Sequence, residues 1–356
     1  MMVRFLQGLL VAVGILAGIL LISNLDKGID VISKDQIQIV LLPGGNIHNV
    51  INAFPGTAIV DEGAGYISVP AAKKEELERQ IGRHKEVQLT LPVVTTPSFN
   101  FSRYGEALNV QIKSYLDGDF GVIAYKSRQK PIPITNSLAE MIKRSLSYLL
   151  PGLLIGVAVG FLAALLAVWK PKVGKVLDAG QGLLLSLPDF FVVVLLQFAA
   201  ISVNKLVGSP VIIIMQFVKQ TPLLIPMLAI SLLPAALIYG TMRIAFEREW
   251  EEGYIKTAYS KGLSRPAVIF RHMMRNTMED FLTIIPRAVS VALTSLVVVE
   301  VMANIFGLGG YAVNQSIGYV SSLATTCAIL AAFALFVQGL FALLRSRVVV
   351  STKEGA

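Results

Sequence analysis

Residues Glu251 to Phe281 read EEGYIKTAYSKGLSRPAVIFRHMMRNTMEDF, a charged segment between two long apolar runs. Gly262 suits the left-handed position that closes a helix, Ser264 can cap a following helix, and Pro266 fits the opening turn of that second helix. The segment is therefore predicted to form two short helices, broken at Lys261-Gly262. Such a pair lies along a membrane surface and presents a knob.

The composition of the whole chain excludes several classes of protein. Of its 356 residues, 54% are hydrophobic and 15% are charged, whereas a soluble domain carries about 25% charged residues. The apolar content excludes disorder, and the net charge of +8 is not spread as the basic patch of a nucleic-acid-binding protein. One cysteine excludes a disulfide framework and a CxxC metal site. No GxxxxGK[ST] phosphate loop occurs, so the chain is not expected to bind ATP itself, and no catalytic, cofactor-binding or metal-binding residue is assigned.

Six apolar runs are long enough to cross a hydrocarbon core, and they predict six transmembrane helices. They cover Phe5 to Leu25, Ser145 to Trp169, about Gly180 to Val203, Gln220 to Met242, about Phe281 to Asn304, and about Ser321 to Leu344. The first run is predicted to be an uncleaved anchor, with a cleaved signal peptide as the alternative. In the second run Gly152, Gly156 and Gly160 recur every fourth residue, which predicts the close approach of a neighbouring helix.

The placement of charge predicts the orientation of these helices. The segment 243–275 has seven basic and four acidic residues, whereas the segment 25–137 has twelve of each. Because cytoplasmic loops are enriched in Lys and Arg, both termini and the 243–279 loop are predicted to be cytoplasmic. The protein is therefore expected to be a multi-pass membrane protein.

The predicted fold is an all-α polytopic membrane protein with a small extracytoplasmic α+β domain. The predicted domains are an anchor helix at 1–25, the outer domain at 26–137, a five-helix core at 138–347 and a cytoplasmic tail at 348–356. Alternating hydrophobicity at 36–41 and 87–91 predicts half-buried strands in the outer domain, and a helix is expected after Pro70. His48 and His84 stand apart from other ligand types and are expected at the surface.

The charged segment resembles the EAA loop of permeases of ATP-binding-cassette (ABC) importers, in the dipeptide, oligopeptide and nickel branch. That loop reads Tyr-x-x-Thr-Ala-x-x-Lys-Gly-Leu-Ser, then Arg-His-x-x-Arg-Asn. The residues that match in register are Tyr254, Thr257, Ala258, Lys261, Gly262, Leu263, Ser264, Arg271, His272, Arg275 and Asn276. Further stretches look like those of the family: Gly118 to Gly121, Leu187 to Phe190, and Glu300 followed by Phe306 to Gly309.

The resemblance implies a type I importer permease of a bacterial cell membrane that works with several partners. These are a second, similar permease in a heterodimer, two cytoplasmic ATPase subunits that hold ATP and Mg, and an extracytoplasmic solute-binding protein. The helix at 254–264 would be the coupling helix in a groove of an ATPase, with Tyr254 and Ala258 as its apolar contact, and the cargo would be oligopeptides or dipeptides. No nucleic-acid partner is expected. A lipid-bound basic loop would account for Arg271 and Arg275 but leaves the pattern from 254 to 264 unexplained.

Polar residues inside the apolar runs are candidates for the transport path, because such residues are expensive to expose to lipid. Four of them share one face of the fifth run and are expected to look into the helix bundle: Thr283, Arg287, Ser290 and Thr294. Three more are candidate path or gate residues: Asp189, Glu300 and Asn304. The alternative is hydrogen bonding between helices, with the Arg287 side chain reaching the cytoplasmic interface.

Three other functions remain open on the sequence. The chain could be a membrane-anchored sensor or scaffold, an export-type permease with one span before an outer domain, or a secondary transporter without an ATPase. The in-register loop favours the importer permease.

Overall fold

The computed structural model describes residues 2–126, 130–217, 220–313, 317–320 and 323–348. Close contacts divide the chain into two compact units. The smaller unit comprises residues 20–113, and the larger unit comprises residues 1–19 and 114–356. Residues 114–137, which the sequence assigned to the outer domain, thus belong with the larger unit.

The smaller unit is an antiparallel sheet covered by helices. After helix α1 (Met2–Ile22) come β1 (Ile29–Leu41), α2 (Ile47–Ala53), β2 (Ala58–Asp61), β3 (Tyr66–Ser68), α3 (Lys74–Ile81), β4 (Val87–Phe99) and α4 (Phe101–Leu116). The strand order is β2-β3-β1-β4, and every pair is antiparallel. The succession βαββαβ with this order is the ferredoxin-like arrangement.

The alternation predicted for β1 is confirmed, but the one predicted for β4 is wrong. Ile37 and Ile39 are buried in the core, between half-buried glutamines. In β4 Val87 is buried, whereas Leu89 and Leu91 are exposed. The register explains the difference: Leu41 pairs with Val87, yet its neighbour Val40 pairs with Leu89. This bulge inserts one extra residue, which turns the following side chains to the other face of the sheet.

The larger unit is built mainly of helices. They are α5 (Thr135–Trp169), α6 (Pro171–Ser186), α7 (Asp189–Val207), α8 (Leu224–Trp250), α9 (Gly253–Ser260), α10 (Arg265–Val268), α11 (Met274–Met302) and α12 (Leu323–Val348). A small antiparallel sheet of order β6-β5-β7 joins β5 (Val122–Tyr125), β6 (Ile132–Pro133) and β7 (Ile317–Val320). Residues from α5, α8 and α11 dominate the apolar core.

Five helical segments of the described residues are long and apolar enough to cross a membrane. They are Thr135–Trp169, Asp189–Val207, Leu224–Trp250, Arg265–Met302 and Ala324–Leu344, and a shorter apolar segment covers Leu10–Ile22. The start predicted for the third run, Gly180, is wrong, because α6 and α7 are separate helices. Pro188 is extended, with ψ 145°, and α7 begins at the next residue, so Asp189 opens a helix instead of interrupting one.

The predicted close approach at the glycine stripe is confirmed, and the neighbour is α8. A Cβ atom on Gly152, Gly156 or Gly160 would lie 2.8, 2.7 or 2.5 Å from a carbonyl oxygen of α8. Those oxygens belong to Met227, Ser231 and Ala235. Any larger residue in the stripe would push the two backbones apart, so the glycines set the distance between α5 and α8.

Candidate functional site

The knob, residues 253–264, consists of α9 and a glycine-closed turn. The Leu263 amide donates to the Ala258 carbonyl (3.2 Å) and the Gly262 amide donates to the Tyr259 carbonyl (2.9 Å). Gly262 has φ 78°, in the left-handed region that favours glycine. These paired bonds form a Schellman motif, so the glycine prediction is confirmed.

The second predicted short helix is wrong in its extent. Pro266 lies in the first turn of α10, as predicted, but the Ser264 side chain makes no capping hydrogen bond. After α10 the chain continues through one wider, π-helical turn at Ile269–Met273 directly into α11. The knob is therefore attached to one continuous helix, Arg265–Met302, which carries the fifth apolar run.

A buried carboxylate fastens the knob from inside. Glu249, at the end of α8, is 9% exposed, and its Oε2 accepts hydrogen bonds from the Tyr254 hydroxyl and from Asn276 Nδ2, the latter at 2.9 Å. Asn276 Nδ2 also lies 3.2 Å from the Tyr254 hydroxyl oxygen. Burial, then the bond to Glu249, raises the pKa of Tyr254 to about 12. The cluster joins α8, α9 and α11.

A second group of contacts holds the turn after α9. Arg265 Nη2 donates to the Val168 carbonyl at 2.9 Å, and the Arg265 guanidinium lies 4.8 Å from the centre of the Trp250 ring. The Trp250 ring in turn meets Tyr259 edge to face, with ring centres 6.1 Å apart. Both ends of the knob are thus fixed to the rest of the larger unit.

The predicted apolar contact surface of the knob is wrong. Ala258 is 6% exposed and Ile255 is 2% exposed, and both belong to the apolar core of this chain. Tyr254 is half-buried, and its ring lies 6.4 Å from that of His272. The reason is that Ile255 and Ala258, three residues apart, form the inward stripe of α9.

The outward surface of the knob is polar. The matched residues that the structure leaves exposed are Thr257, Lys261, Gly262, Ser264, Arg271, Arg275 and Asn276, whereas Leu263 packs partly against the core. Lys256, also exposed, adds a second positive charge to the knob. The resemblance therefore covers two different sets of residues, one that fastens the knob and one that it presents.

The four polar residues of α11 do share one face, but this face does not look into the bundle of this chain. Thr283, Arg287 and Thr294 are exposed and Ser290 is half-buried, while Ile285, Ala288 and other residues between them are buried. The hydroxyls of Thr283, Ser290 and Thr294 each donate to a carbonyl of their own helix, at 2.8, 3.1 and 2.8 Å. Apolar residues take the inward face of α11 and leave this polar face open.

Glu300 is a structural centre at the far end of α11. It is fully buried, and it accepts hydrogen bonds from the hydroxyls of Ser145 (2.5 Å) and Tyr148 and from the amides of Gly309 (2.7 Å) and Gly310 (2.9 Å). A buried carboxylate needs such donors. Glu300 thus fixes the turn that follows α11 to α5.

The other two candidate gate residues also make structural contacts. Asn304 has φ 53°, and the Ile305 amide after it donates to the Glu300 carbonyl at 2.8 Å, which closes α11 as Gly262 closes α9. Asp189, in the first turn of α7, accepts a hydrogen bond of 3.0 Å from the Ser295 hydroxyl of α11. Asp189 and Glu300 thus form hydrogen bonds within the chain, and Asn304 supplies the left-handed residue that ends α11.

Sequence reasoning missed Glu249, Arg265, Ser145 and Tyr148. A single glutamate in a charged helix end carries no spacing signal, and serine or tyrosine in an apolar run is common, so none stands out without its partner. Among the described residues, no group of three or more His, Cys, Asp or Glu side chains could hold a metal ion.

Comparison with known proteins places the chain in a family. Residues 156–351 match the family described as "Binding-protein-dependent transport system inner membrane component". The chain is 26% identical over 204 residues to the "Probable peptide ABC transporter permease protein y4tP" of Sinorhizobium fredii (strain NBRC 101917 / NGR234), which covers 56% of this chain and 64% of that protein. It is 27% identical over 212 residues to the "Dipeptide transport system permease protein DppB" of Bacillus subtilis (strain 168), which covers 57% and 64%.

The match spans less than two thirds of the length of these two relatives. A solved structure of the MetNI methionine ABC transporter in inward-facing conformations (SeMet soak crystal form) matches with a TM-score of 0.48 and 13% identity, over 61% of this chain and 98% of that chain. The family match covers more than half of the present chain and confirms the predicted resemblance: the chain belongs to the binding-protein-dependent transport system inner membrane components.

Proposed function

We propose that the chain is a transmembrane permease subunit of an ATP-driven importer of oligopeptides or dipeptides. The observation that carries the proposal is the knob: a short helix, closed by Gly262, fastened through Glu249 to α8 and α11, and polar on its outer surface. A rigid helix fixed at both ends transmits a push, whereas a flexible loop absorbs it.

The partners follow from this role. Two cytoplasmic ATPase subunits, which hold ATP and Mg, would receive the knob of this permease and of a second, homologous permease in a heterodimer. An extracytoplasmic solute-binding protein would deliver the peptide. The positive-inside pattern of residues 243–275 supports a cytoplasmic position for the knob and both termini.

The transport path would run along the open polar face of α11. Exposure of an arginine to lipid within a membrane helix is unfavourable. Arg287, Ser290 and Thr294 are therefore suited to a face that meets the second permease and the cargo. Because α11 continues into α10 and the knob, movement of the knob by the ATPases would rock this face between two arrangements.

Two experiments test the proposal. The first is copurification of the chain with its proposed ATPase subunits, and the second is charge reversal on the knob. We expect wild-type chain to retain the ATPases, and the double variant Lys256→Glu, Lys261→Glu to lose at least tenfold in peptide-stimulated ATP hydrolysis. The double variant Lys172→Glu, Lys175→Glu changes two exposed lysines of α6 by the same charge and is the control.

Three outcomes would count against the importer. One is that no ATPase copurifies, another is that both double variants lose activity equally, and the third is that peptide uptake persists without the binding protein. A sensor or scaffold would copurify with a protein that does not hydrolyse ATP.

A further inference from the structure

The smaller unit exposes a group of apolar side chains close to the end of α1. Its members, here called the collar, are Ile22 (70% exposed), Leu25 (43%), Ile29 (43%), Phe99 (38%) and Phe101 (79%). Ile29 and Phe99 are cross-strand partners, and the rings of Phe99 and Phe101 meet edge to face with centres 4.9 Å apart. Single exposed apolar residues are ordinary, but a cluster of this kind marks an interaction surface.

The last carbonyl groups of α1 are bonded to protein donors. Asn24 Nδ2 and the Ser23 hydroxyl donate to the Leu20 carbonyl at 2.7 and 3.1 Å, and the Tyr104 hydroxyl donates to the Leu21 carbonyl at 2.8 Å. The last carbonyls of a helix have no partner within the helix, and side chains, further backbone amides or water satisfy them. Where water is scarce they need protein partners, so this helix end suits the edge of a bilayer.

Close packing fixes the collar to the end of α1. A Cβ atom on Gly28 would lie 2.8 Å from the Phe99 ring and 2.9 Å from Cβ of Tyr104. The Asn100 amide donates to the Gly28 carbonyl at 2.8 Å. The position of Phe99 relative to the last turn of α1 is therefore fixed by packing and hydrogen bonds.

The charges beside the collar suit lipid headgroups. Asp30 forms salt bridges with Lys34, at 2.8 Å, and with Arg103, so its negative charge is balanced by two positive charges. The two basic side chains remain 62% and 58% exposed. Exposed Phe and aliphatic side chains beside basic groups are typical of surfaces that lie on a bilayer, where the apolar groups enter the headgroup boundary and the cations meet lipid phosphates.

We propose that the collar lies in the headgroup layer of the bilayer, at the membrane face where α1 emerges. The occupant is lipid because the collar continues the apolar helix segment Leu10–Ile22: Ile22 is its last residue and Leu25 follows three residues later. The smaller unit then rests on the bilayer through its base. The proposal requires α1 to lie in the membrane, and it is independent of cargo and of transport direction.

Depth-dependent fluorescence quenching on the full chain tests the proposal. In a Cys327→Ser background, the variant Phe101→Cys is labelled with the fluorophore NBD and reconstituted in vesicles of phosphatidylcholine and phosphatidylglycerol. The matched control is Val60→Cys, an exposed apolar position (50%) on β2. β2 pairs with β3, and β3 pairs with residues 36–38 of β1. Ile37 lies eight residues after Ile29 along β1, a separation of about 26 Å at about 3.3 Å per residue. The control position is therefore far from the collar.

We expect a lipid with a nitroxide at carbon 5 to quench the Phe101→Cys probe at least twofold and the Val60→Cys probe hardly at all. Aqueous iodide should quench the Phe101→Cys probe at least threefold less than the control. Leu25→Cys gives the same readout where Phe101→Cys fails to reconstitute. Iodide access equal to that of the control, protection from iodide without nitroxide quenching (cover by protein), or equal nitroxide quenching at both positions would each overturn the proposal.

Discussion

Tyr254 donates its hydroxyl hydrogen bond to Glu249, five residues earlier, across the bend between α8 and α9. This bond places the first turn of the knob on the end of a membrane helix, and Asn276 of α11 joins the same carboxylate oxygen. Three helices therefore meet at one buried charge.

Removal of the Tyr254 hydroxyl should loosen the knob without removing it. Because the Glu249 carboxylate then loses a partner, Tyr254→Phe should destabilise this junction by about 1 kcal/mol. We expect peptide-stimulated ATP hydrolysis to fall severalfold while the ATPases still copurify. The control is Tyr259→Phe on the same helix, which keeps the ring that meets Trp250. Equal activity of the two variants would show that the bond to Glu249 does not position the knob.

A methyl group in the glycine stripe should separate α5 from α8. In Gly156→Ala the new Cβ would lie 2.7 Å from the Ser231 carbonyl oxygen, and such overpacking destabilises by about 1–3 kcal/mol. We expect a lower thermal unfolding midpoint in detergent. Gly180→Ala in α6, where no atom lies within 4 Å of the new Cβ, is the control. An unchanged midpoint for Gly156→Ala would contradict the described packing of α5 and α8.

Replacement of Glu300 by glutamine should disturb the turn after α11. The Glu300 carboxylate accepts from two hydroxyls and two amides, and a glutamine amide would turn donors toward donors. We expect a loss of about 3 kcal/mol, because more than one hydrogen bond to a fully buried side chain is lost. Thermal unfolding of Glu300→Gln beside Glu140→Gln, an exposed carboxylate of α5, measures this loss. A similar midpoint for both variants would refute the structural role of Glu300.

A bulky residue on the polar face of α11 should block transport. Thr294 is exposed on that face, so Thr294→Trp places a large ring where the proposed path runs. Peptide uptake by reconstituted complexes should fall more than tenfold. Leu340→Trp on the exposed side of α12 should transport normally. Normal uptake by Thr294→Trp would remove this face from the path.

The smaller unit should lose stability in acid through Glu86. Hydrogen bonds from the Asn46 amide and from Asn49 lower the pKa of Glu86 below its usual 4.5. The stability that ionised Glu86 contributes is therefore present above pH 4.5, and it is lost as the pH falls through the lower pKa of Glu86 in the folded state. Pepsin should therefore cleave the wild-type unit increasingly fast as the pH is lowered from 4.5 to 3. The cleavage rate of an unfolded substrate, measured at each pH, corrects for the pH dependence of pepsin itself.

The Glu86→Gln variant should be cleaved faster than wild type at pH 4.5 and should lose less further resistance in acid. Glu75→Gln, an exposed carboxylate on α3, should match wild type. An identical pH profile for wild type and Glu86→Gln would refute the assigned role of Glu86.

Sequence patterns predicted the parts of the fold that depend on residues close to one another in the chain. Apolar runs, the four-residue glycine stripe and the left-handed Gly262 are features of one helix or one turn, so spacing and residue type sufficed. The register of β4 could not be foreseen, because a bulge between Val40 and Leu41 moves Leu89 to the opposite face. The break before Asp189 was likewise obscured, since the sequence is apolar on both sides of Pro188.

By itself the sequence determined a multi-pass membrane protein with a rigid, glycine-closed knob and a family to which it belongs. Only the tertiary structure decided which matched residues fasten the knob and which are presented: Tyr254 and Ala258 turn inward, while Thr257 and Lys261 turn out. The physical reason is that helical spacing fixes which residues share a face but not what that face meets. The partner of a buried charge such as Glu249 or Glu300 comes from helices distant in sequence, and no local pattern records it.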